Sequence, residues 1–323
     1  MPKPPARQSI DVPSARAITA VPGPVRMDDT LPVLGPADHE PEPLMDAWPV
    51  DIDIAGATDR GLVRERNEDH YLVADLERHL ILCDTSVSGA SQERVRARRE
   101  AILFAVADGM GGHAGGAMAS QVVLDALAGY LIQHLPWSGE GVSEEDPAAA
   151  GELRRALAFC QQRLNQVADR KGLLAGHPGT TLTAGFVTWP GLLILHVGDS
   201  RLYIHRAGAL TQLTKDHTLL AEEGRKVAPG APLRHVLLNA IVSGSQRAVG
   251  EIRWIQLDLR DTLLLCTDGL SEHVSDEVVT EVLGRGAPSS DTCAQLIELA
   301  RQGGGSDNIT VVVSRFHPSG TLP

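Results

Sequence analysis

FAVADGMGGHAGGAMAS, residues 104–120, carries a strand end, a turn and a helix start in one short run. Ile102, Leu103, Phe104, Ala105 and Val106 form an apolar stretch of strand length, Asp108 closes it, and glycines at 109, 111, 112 and 115 make the turn. A carboxylate at that point is held by a rigid element while its oxygens point out of the sheet. The glycines let main chain come close to whatever it binds. Gly109-Met110-Gly111-Gly112-His113-Ala114 also fits the alanine-ended dinucleotide fingerprint, but Asp108 would set a negative charge against the pyrophosphate. The acid expected about 20 residues on is Asp125, which falls inside a helical pattern. A cation site is the better reading, although a solvated aspartate in a glycine turn is the ordinary fate of one such segment. The other acids must decide.

Working toward the N-terminus, Arg64 and Asp69 stand out in Gly61–Asp69. A guanidinium suits phosphate through two parallel hydrogen bonds, and a nearby carboxylate suits a metal; a mixed-charge surface loop is the plain alternative. Between Leu76 and Ala101 lies an interruption containing the helix-like basic run 93–100, which reads as a solvated helix face or a mobile loop. Asp51–Asp59 alternates like a strand and opens the folded region. Residues 1–50 hold eleven of the chain's twenty prolines and show no hydrophobic period, so they read as a disordered tail.

Toward the C-terminus, Ala119, Val122, Val123, Ala126, Leu127, Tyr130 and Leu131 recur at helical spacing, ended by Pro136. A second helix carries Leu153, Ala156, Leu157, Leu164 and Val167. Strands are expected over 179–189, 192–197 and 201–206, the last two joined by Gly198-Asp199-Ser200 as a hairpin loop. The glycine- and proline-interrupted segment 219–250 reads as an excursion outside the core. Further strands cover 254–259, 262–266 and 309–316, with Asp268 and Asp307 at strand boundaries, and Asp291 is expected to cap a helix.

With 323 residues and 43% hydrophobic content the chain can bury a sizeable core. Its net charge of −12 disfavours nucleic acid and anionic membrane as main partners. No apolar stretch reads as a membrane span and no secretory pattern opens the chain, so the cytoplasm is the expected location. Cys83, Cys160, Cys266 and Cys293 are dispersed and read as reduced thiols.

Asp108, Asp199, Asp268 and Asp307, with Asp69, form a set of acids at strand ends that would repel one another without a cation. Mg²⁺ or Mn²⁺ suits such a set. There is no zinc spacing, no C-x5-R cradle, no G-x-S-x-G elbow and no P-loop.

RERNED (64–69), ADGMGGH (107–113), GTTLTA (179–184), VGDSRLY (197–203), LTKDH (213–217), CTDGL (266–270) and SDNITVVV (306–313) resemble, in order, the motifs of the bacterial metal-dependent serine/threonine phosphatases of the protein phosphatase 2C family. The resemblance implies an α+β, four-layer α-β-β-α sandwich in which two antiparallel sheets pack face to face between helices, over residues 51–316, with 317–323 as a tail. It also implies a binuclear Mn²⁺/Mg²⁺ centre held by Asp69, Asp108, the Gly109 carbonyl, Asp268 and Asp307. Asp199 would share a third, weaker ion with Asp268, and Arg64 would bind substrate phosphate. Phosphorylated serine/threonine proteins are the implied substrates, with an opposing kinase as partner and a monomer as the expected state. Met110 stands where eukaryotic members have a histidine acid, and His113 is three positions later. A silent phosphoprotein-binding relative of the same fold is the alternative, and its expected signature, a lost metal-site acid, is absent.

Overall fold

In the computed structural model, which describes residues 48–80, 96–111, 114–134, 147–222, 236–245 and 247–320, the apolar runs fold as strands and the 3.6-period runs as helices. The elements, in order, are β1 (Val50–Asp59), β2 (His70–Leu80), β3 (Arg96–Ala107), β4 (Gly109–Met110), α1 (Ala114–His134), α2 (Pro147–Arg170), β5 (Gly179–Thr180), β6 (Leu182–Thr188), β7 (Gly191–Val197) and β8 (Arg201–Arg206). They continue with β9 (Ala209–Gln212), α3 (Leu219–Glu222), β10 (Ile241–Val242), β11 (Glu251–Gln256), β12 (Thr262–Cys266), α4 (Asp268–Ser271), α5 (Asp276–Gly284), α6 (Ser289–Gln302) and β13 (Ile309–Pro318).

Among the described residues two antiparallel sheets form the centre, in the orders β1-β13-β12-β8-β9 and β11-β7-β6-β3-β2, with β10-β5-β4 as a small third sheet. The strand period of two sorts each central strand into two cores. Ile102, Phe104 and Val106 of β3, with Leu192 and Ile194 of β7 in the same sheet, face the opposite sheet and meet Leu263, Leu265 and Phe316 there. Leu103, Ala105 and Ala107 face α1 and α2 through Val123, Leu127, Leu153 and Leu157. On the far side, Leu264 and Cys266 of β12 meet Val279, Val282, Leu296 and Ala300 of α5 and α6. Four layers follow, α-β-β-α, as expected. The ring of fully buried Phe104 occupies space left by Gly185 in its partner strand, where a Cβ would come within 2.5 Å of the ring. Truncating such a side chain typically costs about 3–5 kcal/mol.

Several local expectations are corrected. The basic run is strand, not helix, where it is described: Arg96–Glu100 extends β3 and pairs with β2 beyond a bulge at Leu76/Glu77. Gly198-Asp199-Ser200 is no hairpin loop, because β7 and β8 lie in different sheets and the turn carries the chain between them. The expected strand over 179–189 breaks at Thr181 into β5 and β6. Segment 219–250 is not wholly outside the core: Ile241 is fully buried and pairs with Thr180. Asp291 is exposed in the first turn of α6. That turn is met instead by Asp53, whose carboxylate accepts from the Ser289 N–H at 2.7 Å. Gly115–His134 is, by length and mean hydropathy of 1.3, apolar enough to cross a membrane, contrary to the first reading; in this fold its apolar side packs on α2 and the β3 sheet. The proline-rich segment 1–47, Cys83, Gly112, His113 and Pro136 lie outside the described residues.

Register brings the acids together. Asp59 pairs with Ile309, Cys266 with Val311, and His70 with Ala107. The residues just beyond these pairs, Asp307, Asp268, Asp69 and Asp108, therefore emerge along one edge of the sandwich.

Candidate metal centre

An open cleft of about 430 Å³ lies at that edge, lined by Arg64, Asp108, Gly109, Met110, Asp199, Leu237, Asp268, Asp307 and Asn308 among others. Asp69 sits beneath it, 3% exposed. Its Oδ2 accepts hydrogen bonds from the hydroxyls of Thr267 and Thr310, both at 2.8 Å, while its Oδ1 is buried with no hydrogen-bond partner among the described residues. The Asp69 carboxyl is raised to about 7, by burial first and by the charges of Asp268 and Asp307, against the hydrogen bonds of the two threonines, which pull it down. Asp108 is raised well above the usual carboxylate range by burial, then by Asp69, Asp268, Asp199 and Asp307. Asp199 rises to about 7 through burial and then Asp268 and Asp216. Five acids thus feel one another across one cleft.

The surrounding sequence fixes them by hydroxyls and glycines. The Asp108 N–H donates to Thr181 Oγ1 at 2.9 Å, and its carbonyl accepts from Thr181 N at 2.9 Å and Thr180 Oγ1 at 2.8 Å. Thr181 Oγ1 also bonds Ser200 Oγ at 2.8 Å, tying the Asp108 strand end to the Asp199 turn. Asn308 donates to the carbonyls of Arg60 and Arg66, each at 2.9 Å, and accepts from Glu68 N at 2.8 Å, which closes the loop bearing Arg64. Any side chain at Gly109 would meet the carbonyls of Gly116 and Glu68 within 2.5 Å. Backbone there must be bare.

Arg64, Asp108, Gly109, Asp199, Asp268 and Asp307 all line the cleft, with Asp69 just below. Arg64 is on the rim with its Nη2 on Asp307 Oδ2 at 2.5 Å, so its guanidinium faces an acid of the set. Its pKa is raised by that hydrogen bond, partly offset by desolvation, and by the charges of Asp307, Asp108 and Asp268. Thr180, Thr181, Thr267, Thr310, Asn308 and Gly116 were missed as positioning residues. Each lies in or beside a motif segment, and hydroxyls flanking several acids were the available signal.

The donors fit a hard divalent cation. The Asp69 carboxylate, oriented by two hydroxyls and with one orphaned buried oxygen, the neighbouring acids and a bare main-chain approach make an oxygen-rich cradle. Among the described residues no three acid, histidine or cysteine side chains close around a point by themselves, which accords with ions that keep several waters.

The protein phosphatase 2C family model matches residues 90–304. The chain belongs to the protein phosphatase 2C family. Within it, the chain is 36% identical over 266 residues to the serine/threonine protein phosphatase PstP of Mycobacterium tuberculosis, covering 80% of this chain and 44% of PstP. It therefore spans less than half of that relative's length. It is 29% identical over 263 residues to the serine/threonine phosphatase stp of Listeria monocytogenes, covering 79% of this chain and 92% of stp. The crystal structure of the PstP catalytic domain in complex with two manganese ions superposes with a TM-score of 0.63 at 34% identity, covering 83% of this chain and 99% of that one. The family resemblance and the sandwich expected from it are both borne out.

Proposed function

We propose that this chain hydrolyses phosphoserine and phosphothreonine esters in proteins, using Mn²⁺ or Mg²⁺. The observation that carries the reading is Asp69, a buried carboxylate with one oxygen pinned by two threonines and the other bare, its pKa raised by burial and by the charges of Asp268 and Asp307. A cation relieves that arrangement. In this reading Asp69, Asp108, the Gly109 carbonyl, Asp268 and Asp307 hold two ions, and Asp199 with Asp268 holds a third, weaker one. When bound, such ions acidify water to a nucleophile at neutral pH and offset the charge of the phosphate.

The side chains do the remaining work. Arg64, on the cleft rim, takes phosphate oxygens through its paired N–H groups. Thr180 and Thr181 keep the Asp108 main chain from shifting, and Asn308 holds the Arg64 loop. No histidine lines the cleft among the described residues. Support comes also from relatives bearing the serine/threonine phosphatase name over matching length and from the manganese-bound neighbour. The same proposal makes phosphorylated proteins and an opposing serine/threonine kinase the partners of a monomeric cytoplasmic protein that engages neither nucleic acid nor membrane.

The test is phosphate release from a phosphothreonine peptide, with turnover expected in Mn²⁺ and lost in EDTA. Full turnover by thoroughly metal-stripped protein refutes the reading.

A further inference from the structure

The turn that carries Asp199 is held from outside the cleft, and we propose that His217 is the positioning residue that fixes it and couples it to the rim at Leu237. The inference rests on reading Asp199 as a cation ligand. Gly198 adopts φ +113°, and a Cβ on it would lie 2.6 Å from the Thr181 side chain, so the peptide before Asp199 has no side chain of its own to anchor it. His217 supplies the anchor on both polar groups of Gly198. Its main-chain N–H donates to Gly198 O at 2.8 Å, and the Gly198 N–H donates to its ring Nδ1 at 3.1 Å.

The same residue grips the rim. Leu238 N donates to His217 O at 2.8 Å, and Asn239 Nδ2 donates to Nδ1 at 3.0 Å. Leu237, just before this pair, lines the cleft. Two N–H donors on Nδ1 make it the acceptor and put the ring proton on Nε2, which lies 3.8 Å from Glu251 Oε2. The ring packs on His196 at 4.7 Å between centroids, and His196 is itself bonded to Thr183 Oγ1 and the Lys215 carbonyl. His217 does not reach the cleft, so it acts through Asp199 and Leu237. Partners that orient a metal-ligating group commonly govern about 10–100-fold in metal affinity.

Calorimetric titration with Mn²⁺ tests this on the full chain, with Asp199→Ala, His217→Leu and His217→Asn beside the parent protein. Asp199→Ala is expected to remove the weakest binding phase, and His217→Leu to weaken that same phase about 10-fold while raising KM for phosphopeptide more than it lowers kcat. His217→Asn, whose Oδ1 takes the place of Nδ1 as acceptor, is expected to restore both. If His217→Leu leaves intact a phase that Asp199→Ala abolishes, the inference falls and the reading of Asp199 stands. An unchanged titration with Asp199→Ala overturns both. Equal loss with leucine and asparagine reduces His217 to packing and also overturns the inference. Should His217→Leu fail to fold, Asn239→Ala frees the ring from the rim alone; a weakened phase supports the coupling and an unchanged one refutes it.

Discussion

The strand β12 begins and ends beside acids treated in opposite ways. At its start, Asp261 is 1% exposed and fully answered: Arg206 donates to it at 2.8 and 2.6 Å and Asp258 N at 2.7 Å. Past its other end, Asp268 joins Asp69, Asp108, Asp199 and Asp307, a set whose Asp307 meets Arg64 on the cleft rim. The half-buried Arg201–Asp216 pair follows the first pattern, with bonds of 3.0 and 2.7 Å. This protein thus pairs a buried acid with arginine where the acid serves the fold. Where it does not, acids gather with negative charge in excess, which the proposed cations would offset.

The contrast can be broken in four ways, the largest effect first. Asp268→Asn removes charge from the cation end of β12, and we expect weaker Mn²⁺ binding by calorimetry and turnover lower by about two decades or more, ~3 kcal/mol in the barrier. Wild-type affinity and rate would remove this strand end from the metal site. Arg64→Ala should keep Mn²⁺ binding and lower kcat/KM by about one to two decades, mostly through KM, since charge-assisted hydrogen bonds are worth about 1.5–3 kcal/mol. At the other end of the strand, Arg206→Ala leaves Asp261 buried and underserved. Chemical denaturation should show a loss of about 2 kcal/mol, with the Mn²⁺ titration unaltered.

The smallest effect concerns the metal-free protein and pH. Asp199 has its folded pKa raised to about 7 against an ordinary 3.8, so the fold prefers its protonated form. Stability from this group is present below the unfolded pKa and is lost as pH rises from about 4 to about 7. Asp199→Asn should flatten that part of the stability profile and raise the metal-free Tm at pH 8 by a few degrees. A profile identical to wild type would mean that the acids do not strain one another.

How far the site could be read from residues alone depended on the range of the interaction. Asp108, Asp268 and Asp307 announce themselves because a strand run, an acid and a glycine are local signals, and the seven ordered motifs named the family. Gly198-Asp199-Ser200 has the chemistry of a hairpin turn, yet nothing in three residues says whether the next strand joins the same sheet or the facing one. Asp291 has cap chemistry, but Asp53, far away in the chain, reaches the same helix start. In the arginine-rich run charge hides the alternation of a strand, and pairing with β2 decides its conformation where it is described. The threonines on Asp69 lie 198 and 241 residues from it, a link visible only once β12 and β13 are side by side.

Pairing of the first strand with the last has a further consequence. Val50 lies opposite Pro318, and the two ends are fastened by Ser319 Oγ on the Trp48 carbonyl and Gly320 N on Asp51 Oδ2. Asp307 and Asn308, just beyond the Asp59–Ile309 pair at the other end of the same ladder, line the cleft, so about ten strand residues, roughly 30 Å, separate the exits of the folded domain from its chemistry. Tags, surfaces or fused domains can be tethered at either exit without crowding the cleft. The exits are close enough to be spliced by a short linker, so a circular permutant opened at a surface loop away from the acids retains every strand pairing that builds the site.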